Sequence, residues 1–201
     1  MPKIVDHDQR REEIAHVACQ VIARHGFEQA TVARIARAAG FTTGMVAHYF
    51  ENKQQIVIAA LRLIRTRMEQ RLLRSSRGGE TRLFKVLSET LAMDVQRFAE
   101  CAFWTAFWGQ VAVDPAFKRI NAAVHREYKR LYERCFEQCW PQWPGLPARV
   151  RAQVLASITA FINGLTASVV TSRGDWPAER QVEQLRLQLD MLEQWIRERR
   201  D

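Results

Sequence analysis

Glycine and proline are scarce, nine and six residues in 201, which excludes a collagen-like or linker-rich chain. Four cysteines are too few to staple a fold of this size, so a disulfide scaffold is excluded as well. No apolar run approaches the roughly 20 residues that cross a bilayer, and charge breaks each of the longer ones. The opening residues MPKIVDHDQRREE carry no apolar signal core, so a secreted protein is not expected. Strand patterning is missing too: Val, Ile and Thr nowhere alternate with polar residues over a strand-length window. Gly-rich phosphate loops, a G-x-S-x-G elbow and an H-E-x-x-H pair are also lacking, so no catalytic residue, cofactor or enzymatic activity is expected. Cys135 and Cys139 stand four apart and could share a helix face, but a metal needs more ligands than two thiolates, and no metal is expected.

What is present is a chain with 47% hydrophobic residues, enough to bury a sizeable core. Apolar residues recur at spacings of three and four, which predicts an all-α protein. It is expected to be reduced and cytoplasmic, with no membrane partner. The net charge of +8 points to an anionic partner. It is concentrated between residues 55 and 85, where eight Lys/Arg face only Glu69 and Glu80. That run is read either as a solvated helix face or as long-range attraction to DNA.

Helix signals divide the chain. A first helix is predicted from about Asp8 to Arg24, ended by His25-Gly26. Thr31 can cap a short helix over 32–39 that Gly40 ends. Thr42 or Thr43 caps a third, Thr43–Tyr49. A long fourth opens after Glu51 and Asn52, and Ser75-Ser76-Arg77-Gly78-Gly79 breaks it. Further helices are predicted at Glu80–Ala99, at Ala102–Val113, and from Pro115, capped by Asp114, to about Cys139. The loop WPQWPGLP precedes the last two, Arg149–Thr171 and Ala178–Arg199. No linker separates a small N-terminal part from the remainder, so the two are expected to share the fourth helix.

The segment TVARIARAAGFTTGMVAHYF, residues 31–50, carries the functional signal. Two short helices flank a Gly-containing turn, and Ile35, Ala36 and Ala39 can pack on Val46 and Phe50. That is a helix-turn-helix pattern. An ordinary pair of surface helices is the plainer alternative.

The longer run GFEQATVARIARAAGFTTGMVAHYFENKQQI resembles the signature of the TetR family of transcriptional repressors. The matching features are Gly26-Phe27, Thr31, Ile35-Ala36, Ala39-Gly40, Tyr49-Phe50 and Lys53. The resemblance implies a helix-turn-helix DNA-binding domain at 1–52 and a larger helical effector-binding and dimerisation domain at 53–201. It places the third helix in the major groove of operator DNA. Thr42, Thr43, Gly44, Ala47 and His48 would face the duplex, and Thr31, Tyr49 and Lys53 would touch phosphates. Base discrimination would fall to Thr43, His48 and the methyl of Ala47. The family often has Tyr at the position of Ala47. A closer resemblance is to the choline-responsive BetI-type repressors, carried by GFTTGMVAHYFENK at 40–53 and AFWTAFWGQV at 102–111. Those relatives have Asp-Gly-Leu-Trp where this chain has Asn163-Gly164-Leu165-Thr166.

Two further site expectations concern the C-terminal part. Phe103/Phe107 and Trp104/Trp108 are pairs four apart, so they form two aromatic columns on one helix. They are either core, or, with Asn163, an effector pocket for a quaternary ammonium (choline included) or an apolar or aromatic compound. The last two helices carry apolar stripes, Val154, Ile158, Phe161 and Leu165 on one and Leu185, Leu189, Leu192 and Ile196 on the other. These are expected to form a homodimer interface, since operators are read as paired half-sites. The expected protein is a homodimeric repressor released from its operator by a small molecule. An effector-independent DNA-binding regulator stays open, as does a helical enzyme or interaction module with a non-functional helix-turn-helix.

Overall fold

A computed structural model describes residues 7–76 and 83–198. Among these, nine α-helices follow one another with no strand: α1 His7–Gln29, α2 Val32–Ala38, α3 Thr43–Tyr49, α4 Lys53–Ser76, α5 Leu83–Ser88, α6 Val95–Val113, α7 Pro115–Cys139, α8 Ala148–Thr171 and α9 Ala178–Arg197. The all-α reading holds.

The helix boundaries follow from local chemistry. Gly26 takes φ +78° and interrupts α1, a backbone state that side chains with a Cβ rarely adopt. Thr31 Oγ1 accepts from the Arg34 amide at 3.2 Å, and Thr42 Oγ1 from the Met45 amide at 3.1 Å. These N-caps start α2 and α3. Gly40, at φ +73°, makes the turn between them. Asn52 Oδ1 caps α4 by accepting from the Gln55 amide at 3.0 Å. Asp114 Oδ1 accepts from the Ala116 amide at 2.7 Å and starts α7.

One stretch departs from expectation. Instead of helices at Glu80–Ala99 and Ala102–Val113, α5 stops at Ser88 and α6 runs unbroken through residues 100 and 101. The break lies at 89–94. Ser88 and Thr90 hydroxyls donate back to the carbonyls of Lys85 and Leu87, both at 2.7 Å. Asp94 Oδ1 then accepts from the Arg97 amide at 2.8 Å and restarts the helix. The buried Gln181 holds the connection, its Oε1 accepting from the Ala92 amide at 3.0 Å. Part of the predicted 75–79 break lies outside the described residues; α4 continues to Ser76.

The described chain forms two compact units. One contains residues 7–67 and 99–124, and the other 68–76, 83–98 and 125–198. α4 contributes to both units, and part of α6 and α7 joins the N-terminal segment. The first unit has its own core, in which Ile14, Ala18, Ile22, Ile35, Val46, Ile56, Phe103 and Phe107 are buried. The second is built on Leu72, Leu87, Leu131, Phe136, Trp143 and the inner faces of α8 and α9.

Those inner faces correct the expected dimer interface. Val154, Ile158, Leu165, Leu185, Leu189, Leu192 and Ile196 are buried within the single chain, and Phe161 is half-buried. They pack against one another and against their unit's core, and of the eight Phe161 alone keeps a partly exposed side chain. The other stripe of α9 points outward: Leu187 and Met191 are 51% and 58% exposed, with Trp195 half-buried beside them. α8 is also more apolar than the sequence reading allowed. By length and composition it could cross a bilayer, yet only a third of its most apolar window is buried.

Candidate nucleic-acid interface

α3 is seven residues long, and Val46 is its buried member. At about 100° per residue, Gly44 and His48 lie opposite Val46, with Met45 on one flank and Ala47 on the other. Thr43, Gly44, Met45, Ala47 and His48 are all exposed. The helix therefore rests on Val46 and half-buried Tyr49 and shows its other side chains to solvent. Below it, Ile35, Ala36, Val46 and Phe50 are 0–2% exposed, and half-buried Ala39 completes the expected contact. Small alanines let α2 and α3 approach closely.

Long-range caps fix the orientation of these helices. An Arg11 guanidinium nitrogen donates to the Tyr49 carbonyl at the end of α3, and the group lies over the Phe50 ring at 4.3 Å. Lys53 Nζ donates to the Phe27 carbonyl at the end of α1 and sits 4.1 Å above the Phe27 ring. A cation at a helix C-terminus satisfies orphan carbonyls and complements the dipole. Burial holds the Lys53 ammonium below the ordinary lysine range, partly offset by Glu28. Lys53 is therefore half-buried and engaged with the end of α1.

The other expected residues fall as follows. Thr31 and Thr42 are exposed but spend a hydroxyl lone pair on capping. Tyr49 is half-buried, and its ring lies 4.6 Å from His7 and 5.3 Å from His48. His7, the first residue of α1, thus joins the exposed cluster around α3. Arg34 and Arg37 on α2 are exposed as well. Sequence reasoning passed over His7, Met45, Arg34 and Arg37; the exposed arc of α3 and the net charge were the available signals.

The aromatic columns separate. Phe103 and Phe107 are fully buried, stacked at 6.5 Å with planes 8° apart. Phe117 meets Phe107 edge-on at 5.9 Å and Phe27 at 5.3 Å. These rings are core, tying α6 and α7 to the end of α1 within the first unit. Trp104 and Trp108 are half-buried, 5.9 Å apart. Asn163 is exposed and belongs to the other unit. It is not the buried amide that the expected pocket required. The cause is its place on α8: Ile162 and Leu165 turn inward and Asn163 with Gly164 outward.

A polar cluster lies in the first unit. Arg67 and His16 Nδ1 are 3.1 Å apart. Burial first, then the Arg67 charge, lowers the His16 pKa below 6.5. Glu100, 5% exposed, opposes that shift electrostatically. All four cysteines are buried and none forms a disulfide. Burial pushes the Cys19 and Cys139 thiols up to about 12 and Cys135 to about 11, which removes thiolate reactivity at neutral pH. Among the described residues, no three His, Cys, Asp or Glu gather as metal ligands.

Comparison with known proteins agrees with this geometry. Residues 14–60 match the TetR family of bacterial regulatory proteins, and residues 79–193 match the C-terminal region of BetI-type transcriptional repressors. The HTH-type transcriptional regulator PksA of Bacillus subtilis is 30% identical over 111 residues, 53% of this chain and 54% of PksA. The HTH-type transcriptional regulator BetI of Escherichia coli is 28% identical over 131 residues, 63% of this chain and 67% of BetI. The aligned region thus spans about half of one relative and two thirds of the other. A solved transcriptional regulator from Rhodococcus sp. Rha1 superposes with a TM-score of 0.74 at 26% identity, covering 92% of this chain and 96% of that one. A regulator from Saccharomonospora viridis, solved in complex with choline, shares the fold with a TM-score of 0.71 at 18% identity, covering 89% and 94%. The chain belongs to the TetR family of transcriptional regulators, with a C-terminal region of the BetI-type repressor kind.

Proposed function

We propose that two copies of this chain bind one operator as a homodimeric repressor, each laying α3 in a major groove, and that a small molecule releases them. The observation that carries the reading is the split character of α3: Val46 is fully buried while Thr43, Gly44, Ala47 and His48 stand exposed. His48 has a ring nitrogen for a base edge, Ala47 a methyl for thymine, and Thr43 a hydroxyl. Tyr49, Thr31, Thr42 and Lys53 belong to the phosphate-facing border, with Arg34 and Arg37 adding charge. The division of labour is a DNA-binding part at 1–52 and an effector and dimerisation part at 53–201.

The outward faces of α8 and α9 supply the dimer contact. Leu187, Met191 and Trp195 project from α9, and the exposed side of α8 carries the small residues Ala156, Ala160 and Gly164, with Asn163 beside them. A groove of about 300 Å³ between the two helices is lined by Gln153, Ser157, Gln188, Met191, Leu192 and Trp195. Small residues let helices from a second copy approach, and the apolar ones gain by being covered.

Effector binding is assigned to the neighbourhood of Trp104 and Trp108. Half-buried indoles suit a quaternary ammonium, the ligand type held by the choline-bound neighbour, or a flat apolar compound. Because α6 shares its core with α1 through Phe107, Phe117 and Phe27, a ligand that shifts α6 acts on the reading helices. Release follows if it binds the DNA-incompetent arrangement more tightly.

The test is selection of retained sequences from a pool of random 30-base-pair duplexes, followed by titration of the selected duplex with and without choline and aromatic quaternary ammonium compounds. Retention of a two-fold sequence and its release by a compound are expected. Retention that no compound alters would leave an effector-independent regulator. Retention of nothing at low salt would refute DNA binding.

A further inference from the structure

Met45 is a large apolar side chain on a helix whose other exposed positions are small or polar. It is 45% exposed and belongs to neither buried apolar cluster. Its backbone amide serves the Thr42 cap, a contact any residue but proline can make, and among the described residues no apolar cluster uses the thioether. By helical angle it stands about 60° from His48, on the arc that faces away from Val46.

The residue before it is also unexplained by packing. A Cβ added to Gly44 would meet only Thr42 Oγ1, at 4.0 Å. Gly44 has no positive φ, unlike Gly26 and Gly40. Among the described residues, neither crowding nor backbone conformation demands glycine there. Its bare backbone does leave room for an outside surface to come close. A hydrogen at one position and a flexible apolar arm at the next form a step that an edge can slide over.

We propose that Gly44 and Met45 together read a thymine: Gly44 admits the base-pair edge close to the α3 backbone, and the Met45 thioether covers the 5-methyl group of a thymine in each half-site. This rests on the DNA-binding reading above and adds a residue to its base readers. The chemistry is selective in the major groove, where thymine alone carries a methyl and the other edges show donors and acceptors. Covering a donor or acceptor with a thioether would strand it without a partner, which disfavours the other bases. Methionine suits the task because its three rotatable bonds adapt to the methyl's position.

The experiment uses the duplex selected as described. Each thymine of a half-site is replaced in turn by deoxyuridine, which removes the methyl and nothing else. Affinity is measured for the wild-type protein, Met45→Ala and Gly44→Ala. Burial of one methyl corresponds to about a fourfold change in affinity. The wild type is expected to lose about that factor at one thymine per half-site, and Met45→Ala to be indifferent to the same replacement while still responding elsewhere. Gly44→Ala is expected to bind more weakly with a melting temperature no lower than wild type, since the fold has space for the added methyl and alanine favours a helix. Equal methyl sensitivity in wild type and Met45→Ala at every thymine would overturn the assignment of Met45. Full affinity in Gly44→Ala would overturn the close approach. Retention of no duplex in the selection would remove the DNA-binding reading and this inference with it, whereas retention with a methyl-blind Met45 would remove this inference alone.

Discussion

Replacing Leu187 and Met191 together by glutamate separates the outer face of α9 from its inner one. In one chain the two side chains are 51% and 58% exposed, so about half of each remains available to a partner. Full burial of such a side chain stabilises by about 1.5–3 kcal/mol, and half of that is about 1 kcal/mol per residue. A two-fold contact uses each residue twice, so the four side chains contribute about 4 kcal/mol, or about a thousandfold in the dimer constant. Glutamate removes this and adds carboxylates to an apolar contact, so the estimate is a lower bound. Sedimentation velocity across protein concentrations, with circular dichroism on the same samples, reads the outcome. The double variant is expected to be monomeric where the wild type is dimeric, with its helix content and melting temperature close to wild type. By contrast Leu189→Ala, on the inner face at 7% exposure, should cost about 2–5 kcal/mol of fold stability. A double variant as dimeric as the wild type would refute the choice of the outer face, and a double variant that unfolds would show that the stripe is part of the chain's own core.

Lys53→Ala should act twice: it leaves the Phe27 carbonyl with the Ala30 amide, 3.3 Å away, as its donor, at a cost of about 0.5–1.5 kcal/mol in chemical denaturation, and it should lower affinity for all duplexes while flattening the salt slope by about one. An unchanged salt slope would confine Lys53 to capping α1. His48→Ala should change preference at particular base pairs in a repeated selection, and a uniform loss over all sequences would move His48 to the phosphate-facing border. His16 binds its proton less readily in the fold than in the unfolded chain, because burial and Arg67 lower its pKa from 6.5. The unfolded chain therefore takes up the proton first, and stability should fall as pH drops below about 6.5 through that window. His16→Gln should remove this part of the fall in urea titrations between pH 7.5 and about 5; an identical pH profile would refute it.

Local signals were legible where one side chain acts on its own turn. Thr31, Thr42, Asn52 and Asp114 each cap the helix that their position announces. The 89–94 break was missed because no Gly or Pro marks it; it depends on hydroxyls turning back and on Gln181, 89 residues away in the chain from Ala92. Arg11 and Lys53 cap helices through contacts spanning 38 and 26 residues, which spacing within one helix cannot show. On α9 both stripes have helical period, so periodicity alone could not choose the inward one. Packing settled it in favour of the Leu and Ile side chains, and left Leu187, Met191 and Trp195 outward. The aromatic columns of α6 divided similarly: the two Phe side chains, without a polar atom, went fully inside, and the two Trp side chains stayed half-exposed.

A hydroxyl-radical footprint on the selected duplex measures most directly whether α3 reads DNA as half of a pair. Two protected stretches on one face of the duplex are expected, about 10 base pairs apart or a multiple of that spacing. Methylation of guanine N7 or removal of the thymine methyl inside those stretches should interfere with binding. Protection confined to one stretch, or protection that survives His48→Ala, Met45→Ala and Gly44→Ala together without any loss of sequence preference, would contradict it.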